Sequence, residues 1–308
     1  MKPFRKHVAI AIDGGGIRGI IPAKALAMLE ATLSKPVGEI FTLAAGTSTG
    51  SIISAGIGAG ISAQRMLQLY LELGPKIFAS SLRKVIFPLT RYRYSPAPFM
   101  EALYTYFGDR TMGEFWTQEN RIDVIITTFD LVDNRTRFIK PWKEEYASWP
   151  VVNAVRASST VPTYFPVFEG RYVDGGVGAY ANPAYLAAYE AQFVLQWDPA
   201  ETTLISLGTG REPYHFEPAE ANRLWAWQWL KPIFDAFLQS ADDQQLHLVD
   251  TFFTAMDFRR FQVDLPEVVD MDDVSKLDLL TECGERMGTM ILTDRTDPAQ
   301  FFQVKRPA

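Results

Sequence analysis

HVAIAIDGGGIRGIIPAKAL, residues 7–26, sets a short apolar run, VAIAI, against three consecutive glycines and then a segment of helix-forming composition. A strand that stops at a glycine turn and re-enters the fold as a helix is the first half of a βαβ unit. The rhythm continues along the chain. IPAKALAMLEATL (21–33) has Pro22 suited to a first helical turn, and strand-like IFTLAAG (40–46) leads into the small-residue run SIISAGIGAG (51–60). Ser62 suits a helix cap, Met66, Leu69, Tyr70 and Leu73 fall on one helical face, and Gly74-Pro75 predicts the end of that helix. Farther on, IDVIITTF (122–129) and RTRFIK (135–140) flank a turn at Asp133-Asn134, and TLISLGTG (203–210) reads as a buried strand that ends at glycine. These runs predict an α/β fold with a mostly parallel central sheet.

The chain has 308 residues, 47% of them hydrophobic and 21% charged, an ordinary balance for a protein that folds in water. One domain over residues 1–308 is expected, its motifs within 8–210. Residues 215–308 are expected to form a helical C-terminal portion of unassigned role, in which Trp225, Trp227 and Trp229 lie close together. No run approaches the roughly 18 apolar residues of a membrane span, and VAIAI is too short for a signal peptide. Cys283 is the only cysteine, so no internal disulfide can form and a reducing, cytoplasmic compartment is expected. A net charge of -6 argues against nucleic acid as a partner. No metal or other cofactor is expected, because acidic clusters such as Asp270, Asp272 and Asp273 more often form solvated faces than sites.

Gly14, Gly16 and Gly19 satisfy the G-x-G-x-x-G spacing of a dinucleotide fingerprint between a strand and a helix, which suggests a nucleotide-dependent oxidoreductase. Asp13 would then set a carboxylate beside a pyrophosphate. IFTLAAGTSTG also lacks the acidic residue that would hold a ribose, and Glu39 lies at its wrong end. A second glycine motif shifts the balance. Gly46-Thr47-Ser48-Thr49-Gly50 is a G-x-S-x-G run between a strand-like and a helix-like segment, the setting of a nucleophile elbow. Gly46 and Gly50 let the chain turn sharply so that the Ser48 hydroxyl stands clear. Acyl transfer at Ser48 needs donors aimed at an oxyanion, which Gly14, Gly15 and Gly16 can supply, with Arg18 adding positive charge.

Serine needs a base. The chain has His7, His215 and His247, and only His215, in REPYHF after the LGTG turn, is placed for a Ser-Asp-His esterase. The other base is Asp174 in RYVDGGVGAY, where a strand-like segment runs into two glycines. The sequence chemistry leaves both open.

Taken in order, DGGGIRG (13–19), GTSTG (46–50), ASSTVPTYFP (157–166) and DGG (174–176) resemble the patatin-like phospholipases. The resemblance implies a three-layer α/β/α fold and lipid acyl hydrolysis through a Ser-Asp dyad without histidine. By matched position it makes Ser48 the nucleophile, Asp174 the base, and Gly14 to Gly16 with Arg18 the oxyanion region. Ser158, Ser159 and Pro162 match a segment that packs near the dyad. A non-catalytic lipid-binding protein on the same fold is the remaining alternative.

The implied substrate is a phospholipid or other fatty-acyl ester. Between Glu72 and Glu101 there is no acidic residue, while Lys76, Arg83, Lys84, Arg91 and Arg93 alternate with Phe78, Ile86, Phe87, Tyr92 and Tyr94. Residues 76–94 are therefore expected to make peripheral contact with a membrane surface. Oligomeric state, acyl position and head-group preference are left open.

Overall fold

The computed structural model describes residues 1–79, 82–87, 89–119, 121–213 and 218–297. Seven strands form one sheet: β1 (His7–Ile12), β2 (Leu43–Thr47), β3 (Asp123–Asp130), β4 (Arg135–Ile139), β5 (Tyr172–Asp174), β6 (Thr202–Leu207) and β7 (Asp257–Phe261). Their order is β4-β3-β2-β1-β6-β7, with β5 also on β3. The pairs β1–β2, β1–β6, β2–β3 and β6–β7 are parallel, while β4 and β5 run antiparallel to β3.

Both sheet faces are covered, so the parallel strands read as continuous apolar runs rather than as alternating ones. On one face Ile10, Ile12, Ala44, Val124 and Ile126 join the larger core. It is built with helices α1 (Ile20–Leu33), α2 (Thr49–Gly58), α3 (Ala63–Ile77), α4 (Ala97–Phe107), α5 (Val151–Ser158) and, C-terminally, Leu277–Leu292. On the other face Ala9, Ala11, Ala45 and Ile125 meet α6 (Ala184–Tyr189) and α7 (Leu230–Phe252) through residues such as Ala187 and Val249. This is the three-layer α/β/α arrangement. The alanines on the second face bring the α6 backbone close to the sheet.

Two readings of the sequence need correction. Helix α3 does not stop at Gly74-Pro75 but runs on to Ile77. Pro75 falls in the last turn, where its ring removes one N–H without ending the helix, and Gly74 fits there because a methyl would press on Ile17. The other end is as expected, with the Ser62 hydroxyl accepting the Arg65 amide at 3.3 Å. The C-terminal portion is not purely helical either. It supplies β7, which extends the sheet beyond β6, and Leu277–Leu292 lies along α1.

Candidate active site

β2 ends at Thr47 and α2 begins at Thr49, so Ser48 sits alone on the turn between them. Its backbone is at φ 54° and ψ −122°, a region that costs a non-glycine residue about 1–3 kcal/mol. Close packing holds it there. A methyl on Gly46 would overlap the Gly50 carbonyl, and one on Gly50 would overlap the Ile12 carbonyl of β1. The Ser48 amide donates to the Ser158 hydroxyl at 2.8 Å, and the Ser48 carbonyl accepts both the amide and the hydroxyl of Ser51. The Ser48 hydroxyl caps nothing, although the residue stands at the helix N-cap. Ser48 thus stands at the positive end of the α2 dipole, which suits developing negative charge.

Sheet register brings Asp174 to the same place. Thr47 pairs with Thr127 of β3, and Asp174 pairs with Thr128, the next residue along β3. β4 occupies the opposite edge of β3 over the same residues, so β5 lies on the edge that β2 vacates. Asp174 thus begins where Ser48 leaves the sheet. Its amide donates to the Thr160 carbonyl at 2.9 Å, and its Oδ1 accepts the Gly176 amide at 2.8 Å. Its Oδ2 is buried without a well-formed hydrogen bond among the described residues. Burial pushes the carboxyl up to about 6, opposed by the nearby Ser48 hydroxyl and the Gly176 amide.

The glycine turn after β1 faces Ser48 directly, with a Cβ on Gly14 falling 3.3 Å from that of Ser48. Within the turn the amides differ. Gly14 donates to the Ala181 carbonyl at 2.9 Å, whereas the Gly15 and Gly16 amides donate to nothing among the described residues. The close approach that these glycines permit is to protein. Thr209 packs on Gly15, and the Met271 carbonyl lies where a Gly16 side chain would stand, with Gly16 at φ +60°. Arg18 binds Glu212 through Nη1 at 2.6 Å, while its Nε is buried without a partner among the described residues.

Behind the turn, Arg260 of β7 grips Asp13 through two hydrogen bonds of 3.0 and 2.6 Å. Burial pushes the Asp13 carboxyl up to about 7, against the pull of Arg260. Arg260 also lies 3.4 Å from Asp242 of α7, which accepts from Asn182 at 2.6 Å. Sequence reasoning missed this pair, because an arginine in FRRF carries no signal for a partner 247 residues away.

Ser48 opens onto a cavity of about 60 Å³ whose walls include Ile52, Leu69, Ile77, Phe78, Phe99 and Phe165. Tyr70 also lines it, with its hydroxyl held between the side chain and the carbonyl of Thr49. The wall is overwhelmingly apolar and suits an acyl chain. His7 begins β1 and stacks on Trp197, and His247 lies within α7. His215 lies outside the described residues. No group of three His, Cys, Asp or Glu side chains among the described residues is placed to hold a metal ion.

The family model for patatin-like phospholipase matches residues 10–188, which span the glycine turn, the elbow, the 157–166 segment and Asp174. The chain belongs to the patatin-like phospholipase family. It is 29% identical to patatin-like protein 2 of Arabidopsis thaliana over 90% of this chain and 82% of that protein. It is 27% identical to patatin-17 of Solanum cardiophyllum, again over 90% of this chain and 82% of the relative. The crystal structure of VipD from Legionella pneumophila superposes with a TM-score of 0.50 at 12% identity, covering 95% of this chain and 67% of that one, a likeness of fold. The G-x-G-x-x-G run at Gly14, Gly16 and Gly19 lies within the stretch matched by the patatin-like phospholipase model.

Proposed function

We propose that this protein is a lipid acyl hydrolase in which Ser48 and Asp174 act as a catalytic dyad. The observation that carries the reading is the register across β3, which sets the buried Asp174 beside the end of β2, where Ser48 leaves the sheet. Raised to about 6, Asp174 is a stronger base than an ordinary carboxylate and is still mostly ionised at neutral pH.

The Ser48 proton passes to Asp174 as Oγ attacks the ester carbon. The Gly15 and Gly16 amides receive the oxyanion, the Gly14 amide being engaged by Ala181. Collapse breaks the bond to the leaving alkoxide, which takes the proton from Asp174. Water then attacks the acyl-enzyme, Asp174 accepts its proton and returns it to Ser48, and the fatty acid leaves. Arg18 lies one helical turn from these amides and is paired with Glu212, so its role is to add positive potential rather than to donate.

The cationic stretch within 76–94 is the membrane-facing lip of this site. Tyr94 and Phe78 pack on Phe165 of the cavity wall, while Val85 and Leu89 are exposed beside Lys84 and Arg91. No helix among the described residues is long and apolar enough to cross a membrane.

The test is hydrolysis of a short-chain p-nitrophenyl ester and of phospholipid vesicles, in chelator, by wild type, Ser48→Ala, Asp174→Asn and His215→Ala. Loss in the first two variants with retention in the third supports the dyad. Loss in His215→Ala favours the triad, and inactive wild type sinks the hydrolase reading in favour of a non-catalytic lipid-binding protein.

A further inference from the structure

Arg156 is a buried arginine without a carboxylate. It stands in the last turn of α5, is 2% exposed, and no acidic side chain among the described residues pairs with it. Its Nη2 donates to the Pro166 carbonyl at 3.3 Å, and its Nη1 is buried with no hydrogen-bond partner among the described residues. Burial pushes the guanidinium down only to about 10, so it is charged at neutral pH. The negative end of the α5 dipole eases the cost of that charge without cancelling it. An apolar side chain of similar size would fill the place at less expense to the fold.

What the charge does meet is a pair of rings. Cζ of Arg156 lies 4.9 Å from the centre of the Phe165 ring and 5.8 Å from that of Phe99, and the two rings stack on each other at 5.7 Å. A cation attracts an aromatic face, and more strongly where water is excluded. Both rings line the cavity onto which Ser48 opens, and Arg156 stands outside that lining. The guanidinium therefore pins the wall from behind.

Helix α3 shows how far along the cavity this wall lies. Tyr70 marks the end beside the nucleophile, through its bonds to Thr49. Phe78, which packs on Phe165, follows Tyr70 by eight residues, about 12 Å of helical rise. A short acyl group on Ser48 stays clear of the rings, and a long one reaches them. The cavity of about 60 Å³ has room for about four to six water molecules, less than a long acyl chain fills.

We propose that Arg156 limits the length of the acyl chain that this enzyme accepts, by holding Phe99 and Phe165 in place. This rests on the hydrolase reading above and concerns the same cavity. While the rings are pinned, the wall does not yield to a longer chain. Without the cation they turn aside and the cavity lengthens. Arg156 touches no reacting atom and acts through the rings, as a positioning residue.

The experiment measures kcat/KM for the acetate, butyrate, octanoate and decanoate esters of p-nitrophenol, with melting temperatures, in wild type, Arg156→Met, Arg156→Lys, Phe165→Leu and the Arg156→Met, Phe165→Leu double variant. Each methylene that the cavity buries raises the wild-type value about fourfold, until the rings stop the chain. Arg156→Met is expected to raise the ratio of decanoate to butyrate about tenfold, two or so further methylenes at that factor, and to leave acetate within about twofold. It is expected to melt no lower than wild type. Arg156→Lys, which keeps a cation over the rings, keeps the wild-type ratio. Phe165→Leu raises the ratio as well, and the double variant raises it no further, since both changes break one contact. A merely structural role in α5, which also carries Ser158, lowers turnover of acetate and decanoate alike and leaves the ratio unchanged. That result, a ratio that falls, or independent addition of the two changes overturns the assignment. If Arg156→Met does not fold, Phe165→Leu decides the matter, and an unchanged ratio there overturns it. Wild type inactive on all four esters sinks the hydrolase reading and this inference with it, whereas a wild type that hydrolyses all four equally leaves the hydrolase standing and removes only the limit on length.

Discussion

The hydroxyl of Ser158 accepts the backbone amide of Ser48 at 2.8 Å. That bond holds the one residue of the elbow whose backbone is strained. Without it, the φ of 54° would be maintained by the packing of Gly46 and Gly50 and by the Ser51 bonds to the Ser48 carbonyl.

Ser158→Ala is expected to destabilise the fold by about 1–3 kcal/mol, since it leaves a buried amide without its acceptor. Turnover falls more than KM rises, because the attacking oxygen is displaced while the acyl cavity is intact. Urea unfolding and steady-state kinetics on an ester substrate measure the two effects.

Activity should follow the ionisation of Asp174. The carboxylate form accepts the proton, so kcat/KM holds above pH about 6 and falls as the pH drops through that value. A pH profile whose acid limb lies near 4 contradicts the burial argument.

The same group carries a stability signature. Because the folded-state pKa lies above the unfolded value, proton binding favours the fold at low pH, and that contribution is lost as the pH rises through about 6. Asp174→Asn has no such loss. Its melting temperature is expected to exceed that of wild type at pH 8 and to converge on it near pH 4, while its activity disappears.

Gly50→Ala tests the elbow itself. The added methyl has no room beside the Ile12 and Asp13 carbonyls, both of which are backbone atoms that cannot swing aside. Loss of soluble, folded protein is expected. A well-folded, active variant would show that the turn is looser than its packing implies.

Vesicle binding tests the lip. Lys84 and Arg93 share the buried Asp272 carboxylate with the Tyr94 hydroxyl, and the Arg93 guanidinium lies 4.5 Å over the Tyr164 ring. Neutralising Lys84, Arg91 and Arg93 to Gln should reduce sedimentation with anionic vesicles about tenfold and leave hydrolysis of a soluble ester within twofold, given about 1 kcal/mol per cation at such a surface and partial retention by Asp272. Unchanged vesicle binding removes the lip from the proposal.

Much of the fold and of the site is legible in the sequence. DGGGIRG and GTSTG were readable because tight backbone approach admits only glycine, so their spacing records the geometry. DGG marked the place where β5 ends for the same reason. The register across β3 was not readable, because nothing in TTFD or YVD says which strand edge β5 will take. β7 was hidden by Arg259 and Arg260, both buried in ion pairs, since a strand with consecutive arginines looks solvent-facing by composition. The helix boundary at Gly74-Pro75 failed because a proline in a last turn disturbs little. The pairing of Ser158 with the elbow amide needed three-dimensional neighbours that lie 110 residues apart.

Arg260 to Asp13 is the second buried contact with a testable cost. Arg260→Met leaves the Asp13 carboxyl buried and unpaired, with an expected loss of about 3–5 kcal/mol in urea unfolding. Adding Asp13→Asn should recover part of that loss. If the single variant is as stable as wild type, the pair is incidental.

That contact also ties the family-matched stretch to residues well beyond it. The family-matched stretch 10–188 ends before β6, which lies between β1 and β7 in the sheet, and before the arginine that anchors Asp13 at the glycine turn. The motifs are contiguous enough to be copied into another protein, but the support beneath them is drawn from the far end of the polypeptide. Grafting or trimming this hydrolase therefore has to carry residues through at least Phe261, and a shorter excision would transplant the signature without the site.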